Sequence, residues 1–215
     1  MTSARVAPQL MGIGLIEAIA EADILANAAT QAGVAGPVKG QVNRVWDAPS
    51  QQLRVGRFGW KANTATLAHQ SAGAFRGDMG ITSAWAPDES CTAAQADCRQ
   101  APGGGHGAQH EIDTETLENV VFYQATLAPL ARREANGAQV RQGQALFHQA
   151  QCAACHRPSY TTAQGPFARM SSPALNGQTI WPYTDLLLHD MGPGLADGRP
   201  DFLASGSQWK TPPLW

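Results

Sequence analysis

Charge is scarce in this chain. Lysine and arginine total 15 and aspartate and glutamate 17, so 15% of the 215 residues are charged and the formal net charge is −2. Without an excess of either sign there is no electrostatic footprint for nucleic acid or an anionic membrane surface. Long apolar runs are lacking too. The most apolar stretch, Leu10 to Ala29, is interrupted by Glu17, Glu21 and Asp23, which excludes a membrane-spanning helix there. It also lacks a basic segment ahead of an unbroken apolar one and a cleavage site, so it does not read as a secretory signal. Cysteine is used only four times. A single Cys-x-x-Cys pair, with no second pair and no His-x3-5-His downstream, cannot close a four-ligand zinc site. No βαβ pattern surrounds it, as a thioredoxin-like dithiol would require. The glycine-rich residues 101–107 follow no strand and open no helix, which excludes a phosphate-binding loop.

Glycine (22) and proline (14) are plentiful, which implies many loops and short connections. At 43% hydrophobic residues the chain can build a real core, as one domain or one and a half small ones. Six tryptophans are many for this length; they suit ordinary packing and also the walls of a flat apolar cofactor.

The chain is organised around Cys152-Ala-Ala-Cys155-His156. In a Cys-x-x-Cys-His run two thiols can add across the two vinyl groups of one porphyrin, and the adjacent imidazole can reach its iron. Cys155 and His156 follow Cys152 by three and four residues, so a helical turn projects all three toward one side. Val140, Ala145, Leu146 and Phe147 predict an amphipathic helix leading into the motif, and Gly143 permits close packing. The motif therefore predicts one covalent haem c, with Cys152 and Cys155 as thioether donors and His156 as iron ligand. Covalent attachment in bacteria occurs outside the cytoplasm, so the expected location is the periplasm, with a leader removed or lying before Met1.

The remaining pattern predicts a mainly α fold: a cytochrome c-like helical domain with long loops and a small β-hairpin. Leu10, Ile13, Ile16, Ile19 and Ala20 mark a first helix, weakened by Gly12 and Gly14, so something should pack tightly against that side. Val42 to Phe58, around the turn-like residues 47–50, predicts the hairpin. Arg57 and Lys61 read as surface charge, with a contact to haem propionates or another anion as the other reading. Asn63 is the expected cap of a helix carrying Leu67, Ala72 and Phe75, ending near Gly77 or Gly80. Cys91 and Cys98 enclose a short loop, and a disulfide between them suits an exported protein. A helix is expected from Thr114 to Arg133, complemented by acidic residues at its start and Arg132-Arg133 at its end, and kinked or shortened by Pro129. These segments suggest two regions: residues 1–110, with helices, hairpin and disulfide loop, and residues 111–215, around the haem.

A second axial ligand would come from beyond the motif. Met191, in a Gly- and Pro-rich loop, is the first candidate, His189 the second; Met170, Tyr160 and Tyr183 are further ligating side chains. An open iron face would instead favour peroxide chemistry, with His189 or Asp190 moving protons.

Several runs together resemble one known family, the di-haem oxidoreductases of peroxidase-like kind, earlier described as thiol oxidoreductases. They are Arg57-Phe-Gly-Trp-Lys61, Asp78-Met-Gly-Ile-Thr82, Gly143 to His156, Pro182 to Gly192, and Trp209 to Trp215. The family is distantly similar to bacterial di-haem cytochrome c peroxidases. The resemblance implies a periplasmic enzyme passing electrons between two haems, and thus an electron donor or acceptor protein or a small redox substrate as partner. In similar enzymes a calcium ion lies between haem domains, which the resemblance extends to a full-length enzyme. Family members carry an earlier Cys-x-x-Cys-His and continue past the Thr-Pro-Pro-Leu-Trp run. The expectation is therefore a fragment holding the second, electron-relaying haem site, whose distal ligand would be Met191, His189 or a residue further on; the alternative is a stand-alone electron-shuttling cytochrome c without enzymatic activity.

Overall fold

The computed structural model describes residues 3–105, 109–163 and 173–215. Helix accounts for 31% and strand for 12%, so the expected mainly α, cytochrome c-like architecture is corrected. Among the described residues, six short α-helices alternate with three separate two-stranded antiparallel sheets, joined by long irregular segments. Glycine and proline cut the apolar patterns into short pieces, and the core is closed as much by loops as by helices.

The first expected helix is two helices, α1 (Ile13–Glu17) and α2 (Glu21–Gly33). Ala20 is extended between them (φ −61°, ψ 138°), and the break is stabilised from outside by Arg57. Its Nη1 donates to the carbonyl oxygens of Ile16, Glu17 and Ile19 at 3.3, 2.8 and 2.7 Å, satisfying the acceptors that a helix end leaves unpaired. The tight packing expected beside the early glycines is present: a Cβ on Gly14 would lie 2.2 Å from the Ala125 carbonyl oxygen.

The predicted hairpin forms as β1 (Arg44–Asp47) and β2 (Gln52–Val55), with Arg44 opposite Val55 and Asp47 opposite Gln52. Helix α3 (Leu67–Ala74) is capped by Thr66, whose side chain accepts from His69 N–H, while Asn63, the expected cap, donates to Asp201. A π-helical turn, Phe75–Met79, carries α3 on to Gly80, left-handed at φ 68°, where a side chain would be strained. Helix α4 (Ala96–Gln100) carries Cys98, and its disulfide to Cys91 forms as expected.

Helix α5 (Thr114–Ala125) starts at Asp113, whose Oδ1 accepts from Thr116 N–H at 2.7 Å. It stops four residues short of Pro129, so Arg132 and Arg133 lie outside it and the expected charge–dipole match at its end does not arise. Helix α6 (Ala138–Gln149) leads to a 3-10 turn, Cys152–Ala154, with Gln151 left-handed between them. Beyond it, β3 (Tyr160–Thr161) pairs with β4 (Thr179–Ile180), and β5 (Leu188–Asp190) with β6 (Gln208–Lys210). The main core joins Ile16, Ile19 and Ile24 to Val55, Leu67, Val121, Tyr160 and Leu187.

Candidate functional site

The turn Cys152–Ala154 and the strand pair β5–β6 both line a cavity of about 730 Å³. Cys152, Cys155, His156, His189 and Met191 all line it, together with Trp60, Trp209, Lys210 and Pro212. That volume lies within the range of small-molecule and cofactor sites. The cysteines are free thiols, Cys152 exposed and Cys155 partly so.

His156 is held by its backbone-facing nitrogen. Nδ1 lies 2.6 Å from the Tyr183 carbonyl oxygen, which can only accept, so Nδ1 carries the proton and Nε2 of the neutral ring keeps its lone pair. Tyr183 presents that carbonyl from a left-handed backbone (φ 51°), an unfavourable conformation for a large residue. Phe147, from α6, packs edge-on against both rings, with centroids 6.3 Å from His156 and 5.5 Å from Tyr183. The helix before the motif thus fixes the imidazole, although Leu146 beside Phe147 is exposed.

His189 is buried (6% exposed) and engaged on both sides. Nε2 donates to Asp185 Oδ2 at 2.8 Å, and Nδ1 lies 3.8 Å from Cys155 Sγ. Burial pulls the imidazole pKa down, but the bonds to Asp185 and the Cys155 sulfur outweigh it and push it up to about 9. Asp185 is itself tied to Gln31 Nε2 and Leu187 N–H. Met191 is half exposed, with no comparable tie on its side chain. Asp190 is exposed, its Oδ1 accepting from Gly192 N–H. Tyr160 lies in the core, bonded to Asn27 and the Thr184 carbonyl, and Met170 lies outside the described residues.

Arg57 and Lys61 are not surface charges. Arg57 ends α1, while Lys61 is fully buried, donating to the Ser205 and Gln208 carbonyls, 3.1 Å from Asp197 and over the Trp209 ring. Both are structural cations. Asp185, Trp209 and Lys210 lie within the runs that carry the family resemblance, but no motif in the sequence gave any of the three a role at the site. Asp185 and His189 are four apart, a spacing that would suggest a helix, yet residues 181–187 are irregular and Leu188–Asp190 is a strand. Lys210 reaches the cavity through its pairing with Leu188 in the β5–β6 ladder, a long-range placement.

Among the described residues, no group of three or more His, Cys, Asp and Glu is arranged to hold a metal ion by itself. Among the described residues no helix is long and apolar enough to cross a membrane. What the cavity offers is an imidazole nitrogen, two thiols and a largely apolar enclosure, a set suited to a flat redox cofactor. The class is that of haem oxidoreductases: a family model described as "di-haem oxidoreductase, putative peroxidase" matches residues 1–215. The chain belongs to that di-haem oxidoreductase family. No curated protein and no solved structure matches it.

Proposed function

We propose that the chain carries a c-type haem in the cavity at the Cys152–Ala154 turn and serves as an electron-transfer unit of a periplasmic di-haem oxidoreductase. The observation that supports this most is the His156–Tyr183 bond, because it fixes the tautomer that leaves Nε2 free to ligate. Cys152 and Cys155 hold the porphyrin as thioethers, and His156 is the proximal ligand. Met191 is the distal ligand, since it lines the same cavity while both nitrogens of His189 are already bonded. The haem supplies one-electron iron chemistry when bound. The protein's own residues orient the imidazole through Phe147 and Tyr183, exclude water with Trp60 and Trp209, and hold a proton on His189 beside Asp185. The partner is an electron donor or acceptor protein, or a small redox substrate; a calcium ion belongs to the full-length di-haem enzyme.

A pyridine haemochrome spectrum of the exported protein tests the cofactor. A c-type spectrum that survives acid–acetone extraction is expected, and its loss in Cys152→Ser/Cys155→Ser. Absence of haem from the wild-type chain would end the reading. Peroxide turnover with a reduced donor separates a relay from a catalytic haem. The relay is expected to cycle oxidation state without consuming peroxide above the buffer rate.

A further inference from the structure

A second cavity, of about 400 Å³, lies against the first and shares Trp60, Lys210 and Pro212 with it. Its walls are mostly apolar, including Ile16, Leu186 and Trp215, but two buried cations, Arg57 and Lys210, also line it. No acidic side chain is among its described lining residues.

Both cations are under-compensated. Arg57 is 2% exposed; Nη1 is taken up by the α1 carbonyls, but its buried Nε has no hydrogen-bond partner. Lys210 has one contact from its ammonium, a 3.4 Å approach to the neighbouring Thr211 carbonyl, at the far limit of a hydrogen bond. Among the described residues no carboxylate comes within 4.0 Å of either cation, the closest ion pairs of the molecule being elsewhere. Glu17 acts on Arg57 at longer range, but burial raises its own pKa to about 7, so near neutrality it offsets that charge only in part. Desolvation likewise lowers the Lys210 pKa, to about 8, with the charge of Asp185 opposing it. A buried cation with an empty donor position is costly unless an acceptor fills it.

We propose that this second cavity is a binding site for an organic anion, a carboxylate on a compact apolar or aromatic body, with the carboxylate between Arg57 and Lys210 and the body against Trp60, Ile16, Leu186 and Trp215. Trp60, Lys210 and Pro212 are common to both cavities, but no iron ligand proposed above lines this one.

Calorimetric titration of the haem-loaded protein with 1-naphthoate and with its uncharged isostere 1-naphthamide tests the site. Saturable binding of the acid is expected, about tenfold or more tighter than the amide, the ratio one charge-assisted hydrogen bond supplies. The Soret band is expected to stay unchanged through saturation. Lys210→Met should remove most of the preference for the acid. Equal affinity of acid and amide, no saturable binding of the acid, or a Soret shift that tracks it and so places the acid on the iron, would each overturn the site. So would an unchanged preference in a folded Lys210→Met protein; should that variant not fold, the wild-type comparison decides alone.

Discussion

Glu17 is 5% exposed at the end of α1. Burial raises its pKa from 4.5 to about 7, against the opposing pull of the Leu67 N–H bond and the Arg57 charge. Because the folded state holds this proton more tightly than the unfolded one, the contribution to stability is fully present below pH 4.5 and is lost as pH rises through about 7. A shift of that size is worth roughly 3 kcal/mol. Glu17→Gln keeps an oxygen for the Leu67 N–H and removes the titration. Urea unfolding of the two proteins from pH 4 to 8 is expected to show the wild type losing stability relative to the variant across that window; parallel curves would rule the effect out. Met191 carries the other residue-scale prediction. If its thioether is the distal ligand, Met191→Ala lowers the haem reduction potential by on the order of 100 mV, because a Met/His pair raises it. Spectroelectrochemical titration reads the change directly, and an unaltered potential would remove Met191 from the iron.

Elements in this fold end where something outside them intervenes. The apolar spacing from Ile13 onward is that of one helix, and only Arg57, about forty residues on, makes it two by taking the carbonyls of Ile16, Glu17 and Ile19. Such a cap has no local signal. The β-hairpin was legible because turn chemistry and alternation are local, and Gly80 was legible as a helix end because a left-handed residue favours glycine. Helix α6 was legible too, and so was the tight packing that the glycines of α1 implied. Gly14→Ala tests that packing. Its Cβ would meet backbone atoms of Ala125 in α5, which cannot rotate away as a side chain can. The expected cost is about 1–3 kcal/mol, read as a fall in the urea midpoint without a change in slope. A neutral or stabilising substitution, as helix propensity alone would predict, would show that α1 and α5 do not approach this closely.

At the scale of the whole molecule the main cavity is a product of distant segments. Ala4 to Val6, Trp60, the Cys152–Ala154 turn, Met191 and Thr211 all reach it. Strand β6 is tied back to the first half of the chain by the Lys210 N–H bond to the Trp60 carbonyl. Arg5 reaches Asp197 at 2.6 Å, and Lys61 reaches the same carboxylate, so the N-terminal segment, the loop around Asp197 and the Trp60 region share one ionic centre. This is why the motif at Cys152–His156, with His189 and Met191 as candidates, could be read from the sequence while the rest of its surroundings could not: five consecutive residues announce themselves, but walls drawn from both ends of the chain depend on the folded core. A group covalently held in such a cavity contacts every segment that forms it, so it should stabilise them together. The haem-loaded protein is therefore expected to melt several degrees above Cys152→Ser/Cys155→Ser, about 1 kcal/mol moving a chain of this size by roughly 2–4 °C. Hydrogen exchange should slow in β5, in β6 and around Trp60, segments far from the cysteines in sequence. Protection confined to residues next to Cys152 and Cys155 would mean that the haem hangs on its two sulfurs outside the cavity, and the proposed site would fail at its largest scale.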